Sequence, residues 1–199
     1  MITRALKHLA GFIILPLLIQ EASAASFMPS GSRTSQPIGH YEFCQANPDQ
    51  CASHTNNPIP VKLTHGLWDA MQDVNNAANT MIQPITDMDQ WGVEERWSIP
   101  VNKGDCEDYV LLKRKELIEQ GVPEADALIT VVRQKNGAGH AVLTVRTDRG
   151  DFILDNLEPK ILAWNKTDYR YLKRQSDKND AQWVTIEDNR EVIVGSVNP

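Results

Sequence analysis

Apolar residues recur at helical spacing in the first half of the chain and at strand spacing in the second. Leu63, Leu67, Met71, Val74, Ala78 and Met81 keep a three-to-four-residue period between Val61 and Ile85, which predicts a helix with Thr64 as N-cap and Pro84 beyond its end. A second helix is predicted from about Cys106 to Gln120, stopping at Gly121 with Pro123 just after. Its apolar arc holds Cys106, Val110 and Leu117, widened by Tyr109, Leu111, Leu112 and Ile118. From Ala127 the pattern turns to β. Residues 128–133, 140–146 and 151–155 read as strands, joined at Asn136-Gly137-Ala138-Gly139 and Asp148-Arg149-Gly150 by hairpin-type turns. Weaker strands are expected at 169–172, 183–186 and 192–194. Two helices followed by an antiparallel meander make an α+β domain, placed at residues 61–199.

The N-terminus changes the compartment. Arg4 and Lys7 precede the nine apolar residues from Gly11 to Ile19, and Ala22-Ser23-Ala24 has the small-residue cleavage pattern. A bilayer span needs about 20 apolar residues, so residues 1–24 are expected to be a signal peptide and the mature protein to start near Ala25, in the periplasm. No later segment is apolar enough to span a membrane. Residues 25–60, rich in Ser, Pro, Gly and Asn, read as an arm lying on the domain. Cys44 and Cys51 flank a turn in it, and an oxidising compartment favours a local disulfide. The alternative is a zinc site made of His40, Cys44, Cys51 and His54, but its spacing matches no familiar finger.

Charge excludes some partners. The whole chain carries −6, and removal of Arg4, Lys7 and Glu21 with the signal leaves −7. An acidic surface of this kind argues against nucleic acid and anionic lipid, and leaves a protein substrate open.

Pairing Cys44 with Cys51 leaves Cys106 as a free thiol in an exported chain. It opens a helix, where the dipole and unpaired amides favour a thiolate and can hold an oxyanion. Asp105 is placed as N-cap, with Asp108 completing a capping-box-like pair. The carboxylates of Asp105 and Glu107 oppose ionisation of the thiol, so a cation or imidazolium must offset them. His140 follows a glycine-rich turn, and Asp155 ends the next strand. If Asp155 stands opposite Val142, it shares a face with His140, one residue pair away. A bulge at Gly150 would reverse that parity. A cysteine nucleophile needs such a base and orienting group, although each of the three residues also has an ordinary structural use.

Gly104-Asp105-Cys106-Glu107-Asp108-Tyr109, Gly139-His140-Ala141-Val142-Leu143 and Leu154-Asp155-Asn156 resemble the bacterial transglutaminase-like cysteine proteinases, which include the LapG-type periplasmic proteases that release surface adhesins. The resemblance runs from about Ile38 through Ile186 and includes Pro84-Ile85-Thr86-Asp87-Met88 and Gly92-Val93-Glu94-Glu95. It implies a papain-like, transglutaminase-like fold with Cys106 as nucleophile, His140 as base and then acid, and Asp155 orienting the imidazole. It also implies Ca²⁺ held by Asp105, Glu107 and Asp108, a protein substrate such as a large surface adhesin, and a membrane receptor as regulator. Trp97 is placed either near the oxyanion site or, like Trp91, in packing. Transglutaminase-type acyl transfer and a non-catalytic calcium- or protein-binding module are the alternatives to proteolysis.

Overall fold

A computed structural model describes residues 25–51 and 58–190. The expected signal peptide, His54 and the expected strand at 192–194 lie outside the described residues. Among the described residues no helix is long and apolar enough to cross a membrane.

The first periodic stretch folds as helix α2 (His65–Met81), with Thr64 Oγ1 accepting the Leu67 N–H at 3.1 Å as an N-cap does. Its buried positions are Met71, Val74, Asn75 and Ala78, and that arc runs on to Ile82. Met81, expected inside, falls off the arc and is 63% exposed. The second stretch is helix α4 (Cys106–Glu119), which ends before Gly121 at φ +94°, a left-handed conformation that favours glycine. Besides Tyr109, Val110, Leu111 and Leu117, α4 buries Lys113 and Arg114. Arg114 donates to the Ala127 carbonyl at 2.9 Å and to Asp180 at 2.6 Å, tying the helix to the sheet beneath it.

That sheet has seven antiparallel strands: β1 (Ser30–Thr34), β4 (Ala127–Arg133), β5 (Gly139–Thr147), β6 (Gly150–Leu154), β7 (Leu162–Ala163), β8 (Arg170–Ser176) and β9 (Asn179–Ile186). Their spatial order is β1-β9-β8-β4-β5-β6-β7, so only β4 to β7 form a meander, and β8 returns to the far side of β4. The core on one face gathers Ile129, Ala141, Leu143, Val145, Leu154 and Trp183 with Met71, Val74, Val110 and Leu117 of the helices. A second cluster holds Met28, Val132, Val142, Ile153, Trp164 and Tyr171. Burial on both faces explains why β4 and β5 read as nearly continuous apolar runs. The β5–β6 register runs from Thr147↔Gly150 to Leu143↔Leu154 without a bulge, so Asp155 follows opposite Val142. Gly150, at φ +118°, also passes so close to Ser26 that a Cβ would stand 2.7 Å from its carbonyl oxygen.

Residues 25–60 are more than the expected arm. Strand β1 pairs with β9 at the sheet edge, and helix α1 (Ile38–Ala46) buries His40, Phe43 and Cys44. His40 lies between the rings of Trp97 and Trp183, with centroids 5.2 and 5.3 Å away, and burial lowers its pKa to about 3. It is therefore a neutral interior group. Cys44 and Cys51 form a disulfide, so neither sulfur is available as a zinc thiolate. Neither β1, a polar edge strand, nor the short α1 carries the apolar period by which elements are found in sequence.

Candidate active site

Two short strands, β2 (Gln83–Pro84) and β3 (Lys103–Gly104), pair in parallel just before α4 and fix where that helix begins. Gly104 is buried against Asp108, where a Cβ would stand 2.5 Å from Oδ2, so a bare backbone is needed for this approach. Cys106 is the first residue of α4, half-buried and packed on the main core. Its thiol donates to Glu107 Oε2 at 3.1 Å, and the Ala141 amide also reaches the sulfur. Burial first, then the Glu107 charge and hydrogen bond, push the thiol pKa far above its ordinary value, and the Ala141 amide opposes this only partly. Left to these groups, Cys106 is a thiol.

The Ala141 contact brings the sulfur to the residue that follows His140. The imidazole is 5% exposed, and its Nε2 donates to Asp155 Oδ1 at 2.8 Å. Oδ1 also accepts the Leu157 N–H at 2.9 Å, while Tyr169 Oη donates to Oδ2 at 2.5 Å. From α2, Asn79 Nδ2 donates to the Asp155 carbonyl at 2.8 Å. Burial alone would raise the Asp155 pKa, but the His140 partner and the two further donors outweigh it and hold the group below its ordinary value. The pair is thus a carboxylate receiving an imidazole N–H, and Nδ1 is the ring nitrogen that Asp155 leaves for another role.

On the other side of Cys106 lies an acidic cluster. Asp87, in helix α3 (Asp87–Trp91), joins Asp105 and Glu107, each offering a carboxylate oxygen within 4.8 Å of the others. Burial and mutual repulsion raise Asp105 to about 6 and Glu107 to about 8, with Glu95 adding to both. Asp105 Oδ1 is buried without a hydrogen-bond partner.

Of the expected calcium ligands, Asp105 and Glu107 belong to this cluster and Asp108 adjoins it. Asp108 Oδ1 accepts the Ser98 N–H at 2.8 Å and the Ser98 hydroxyl at 3.3 Å, while Oδ2 is buried without a hydrogen-bond partner. Its carboxyl, raised to about 7 chiefly by burial and further by Asp105 and Asp87, also anchors the 98 loop. Asp105 occupies the N-cap position without capping through its side chain, so the anticipated capping box is not made. Asp87 is not among the expected ligands, and it joins Asp105 and Glu107 in the cluster. A five-residue helix offers no period by which to find it, and the adjacent Thr86 and Asp89 look like ordinary capping residues.

Trp97 is a packing residue, buried against His40 and Trp183, with Nε1 donating to Glu95 at 2.7 Å. Trp91 is 43% exposed beneath the Arg96 guanidinium, which lies 4.2 Å from the ring centroid.

A cysteine opening a helix against an antiparallel sheet, with a His–Asp pair on the adjoining strands, is the layout of the transglutaminase-like fold within the papain-like class. The chain belongs to the bacterial transglutaminase-like cysteine proteinases (BTLCP), whose family model matches residues 30–191. These are cysteine peptidases. A structure of Legionella pneumophila LapG is similar at 27% identity and TM-score 0.51, over 59% of this chain and 68% of that one. A calcium-bound form of Legionella pneumophila LapG shares the fold at 21% identity and TM-score 0.52, over 79% of this chain and 84% of the other. Among curated proteins there is no match to the chain.

Proposed function

We propose that this protein is a periplasmic cysteine protease that cuts a peptide bond through Cys106, His140 and Asp155, with Ca²⁺ held by Asp87, Asp105 and Glu107. The observation that carries the reading is the buried 2.8 Å bond from His140 to Asp155, beside a cysteine at the N-terminus of α4. His140 takes the Cys106 proton, and the sulfur bonds to the substrate carbonyl carbon. The amides at the start of α4 stabilise the resulting oxyanion. As the C–N bond breaks, the imidazolium passes its proton to the departing amine, leaving a thioester on Cys106. Water deprotonated by His140 then attacks the thioester, releases the new carboxyl terminus and restores the thiol.

Hard carboxylate oxygens suit Ca²⁺, and the three carboxylates here include a buried oxygen without a protein partner. A bound Ca²⁺ would supply positive charge beside the nucleophile, opposing the carboxylates that disfavour its thiolate. The chain's own part is to hold those carboxylates together and to keep Glu107 within reach of the sulfur. Periplasmic location is supported by the signal-like N-terminus and the Cys44–Cys51 disulfide. The family resemblance supports a surface adhesin as substrate and a membrane receptor as regulator.

Asp155→Asn is expected to lower turnover by about 10³- to 10⁴-fold, because the amide cannot fix and stabilise the imidazolium as a carboxylate does. Steady-state cleavage kinetics check this. A labelled primary amine added during turnover tests the reaction type. Products ending in free carboxyl groups are expected, and incorporation of the amine in place of cleavage would make the protein an acyltransferase.

A further inference from the structure

We infer that Tyr169 is a positioning residue for the reaction, acting through Asp155. This rests on the reading of Cys106, His140 and Asp155 given above. Asp155 is 2% exposed, and a carboxylate so buried needs a donor at each oxygen. Oδ1 is served by His140 and Leu157, while Oδ2 is held at 2.5 Å by the Tyr169 hydroxyl. Without that donor Oδ2 would lose a charge-assisted bond in a dry setting, and the carboxylate would be freer to rotate away from His140.

The same side chain constrains the imidazole. The Tyr169 ring centroid lies 5.5 Å from that of His140, inclined at 55°. The phenol therefore fixes one partner through its hydroxyl and flanks the other with its ring. With Asp155, Leu157 and Leu162 it also lines a cavity of about 210 Å³.

Tyr169 is itself anchored. Arg190 Nη2 donates to its carbonyl at 2.6 Å and Nη1 to the Thr167 carbonyl at 3.1 Å, while Asp188 holds the guanidinium at 2.7 and 2.8 Å. This clamp sets the backbone just before β8, so the hydroxyl is aimed before substrate arrives. Preorganisation of this kind is what an orienting group requires.

Tyr169→Phe keeps the ring and removes only the hydroxyl. In the calcium-loaded protein it is expected to slow iodoacetamide alkylation of Cys106 and to lower kcat, each about ten- to a hundredfold, the range for a hydrogen bond to a charged group. KM should stay close to wild type, while the loss of a donor to a buried carboxylate should lower the melting temperature by a few degrees. Placed on Asp155→Asn, the change should add almost nothing. Alkylation at the wild-type rate, or an equal loss in the Asp155→Asn background, would overturn the inference. A second measurement leaves Tyr169 untouched: its hydroxyl proton should resonate far downfield in wild-type NMR spectra and move upfield in Asp155→Asn. An unshifted resonance would also overturn it. Cleavage that survives Cys106→Ala would instead defeat the underlying reading.

Discussion

Replacing His140 with alanine is expected to slow alkylation of Cys106 at pH 7 by about 10³-fold and proteolysis by at least about 10⁴-fold. The surroundings of the sulfur explain why the loss is so large. Burial and Glu107 both raise the thiol pKa, and the Ala141 amide opposes them only partly. A helix N-terminus contributes less than these oppose, since its influence is about 0.3–1 kcal/mol near the surface. On the proposed reading, the imidazole is therefore the principal acceptor of the thiol proton. Asp155 orients that acceptor through the 2.8 Å bond. Parallel rates of iodoacetamide labelling and substrate cleavage in His140→Ala check the prediction. Labelling at the wild-type rate would show that the thiolate forms without His140.

Removing calcium is the second large perturbation, with cleavage expected to fall at least about a hundredfold in EGTA and to return on adding Ca²⁺. The same carboxylates predict an unusual pH dependence for the metal-free protein. Folding raises Asp105 from 3.8 to about 6 and Glu107 from 4.5 to about 8. A group whose pKa is raised by folding binds its proton more tightly in the folded state. Its contribution to stability is therefore complete below the unfolded value and lost as pH climbs through the folded value. Asp108, raised from 3.8 to about 7, acts in the same direction. The melting temperature of the metal-free protein should fall between about pH 4 and pH 8, and Ca²⁺ should raise it most at the upper end. Asp87→Asn should remove most of that Ca²⁺ response. A melting temperature indifferent to Ca²⁺ at pH 8 would remove the cation from this site.

The parts of this protein visible in sequence are those carried by local repetition. The stripes of α2 and α4 and the apolar runs of β4, β5 and β6 each fix an element within a short window. Thr64 and Gly121 mark helix ends by local chemistry that the structure retains. The Val142–Asp155 relation was readable for the same reason, since it depends only on a tight turn and strand parity. What stayed hidden depends on long-range packing. Strand β1 is polar and gains its identity from pairing with β9. Lys113 and Arg114 look like surface charges but are buried, and Arg114 finds Asp180 far along the chain. Asp105 and Asp108 have the spacing of a capping pair, yet Asp105 makes no side-chain cap and Asp108 accepts from Ser98. Tyr169 has no signature at all, because its role comes from meeting Asp155 across the fold.

N-terminal proteomics of secreted and outer-membrane proteins, comparing cells with the wild-type enzyme and cells with Cys106→Ala, tests the central claim most directly. A protease working through Cys106 predicts a small set of new N-termini present with the wild type and absent with the variant. The same set of N-termini in both would contradict it.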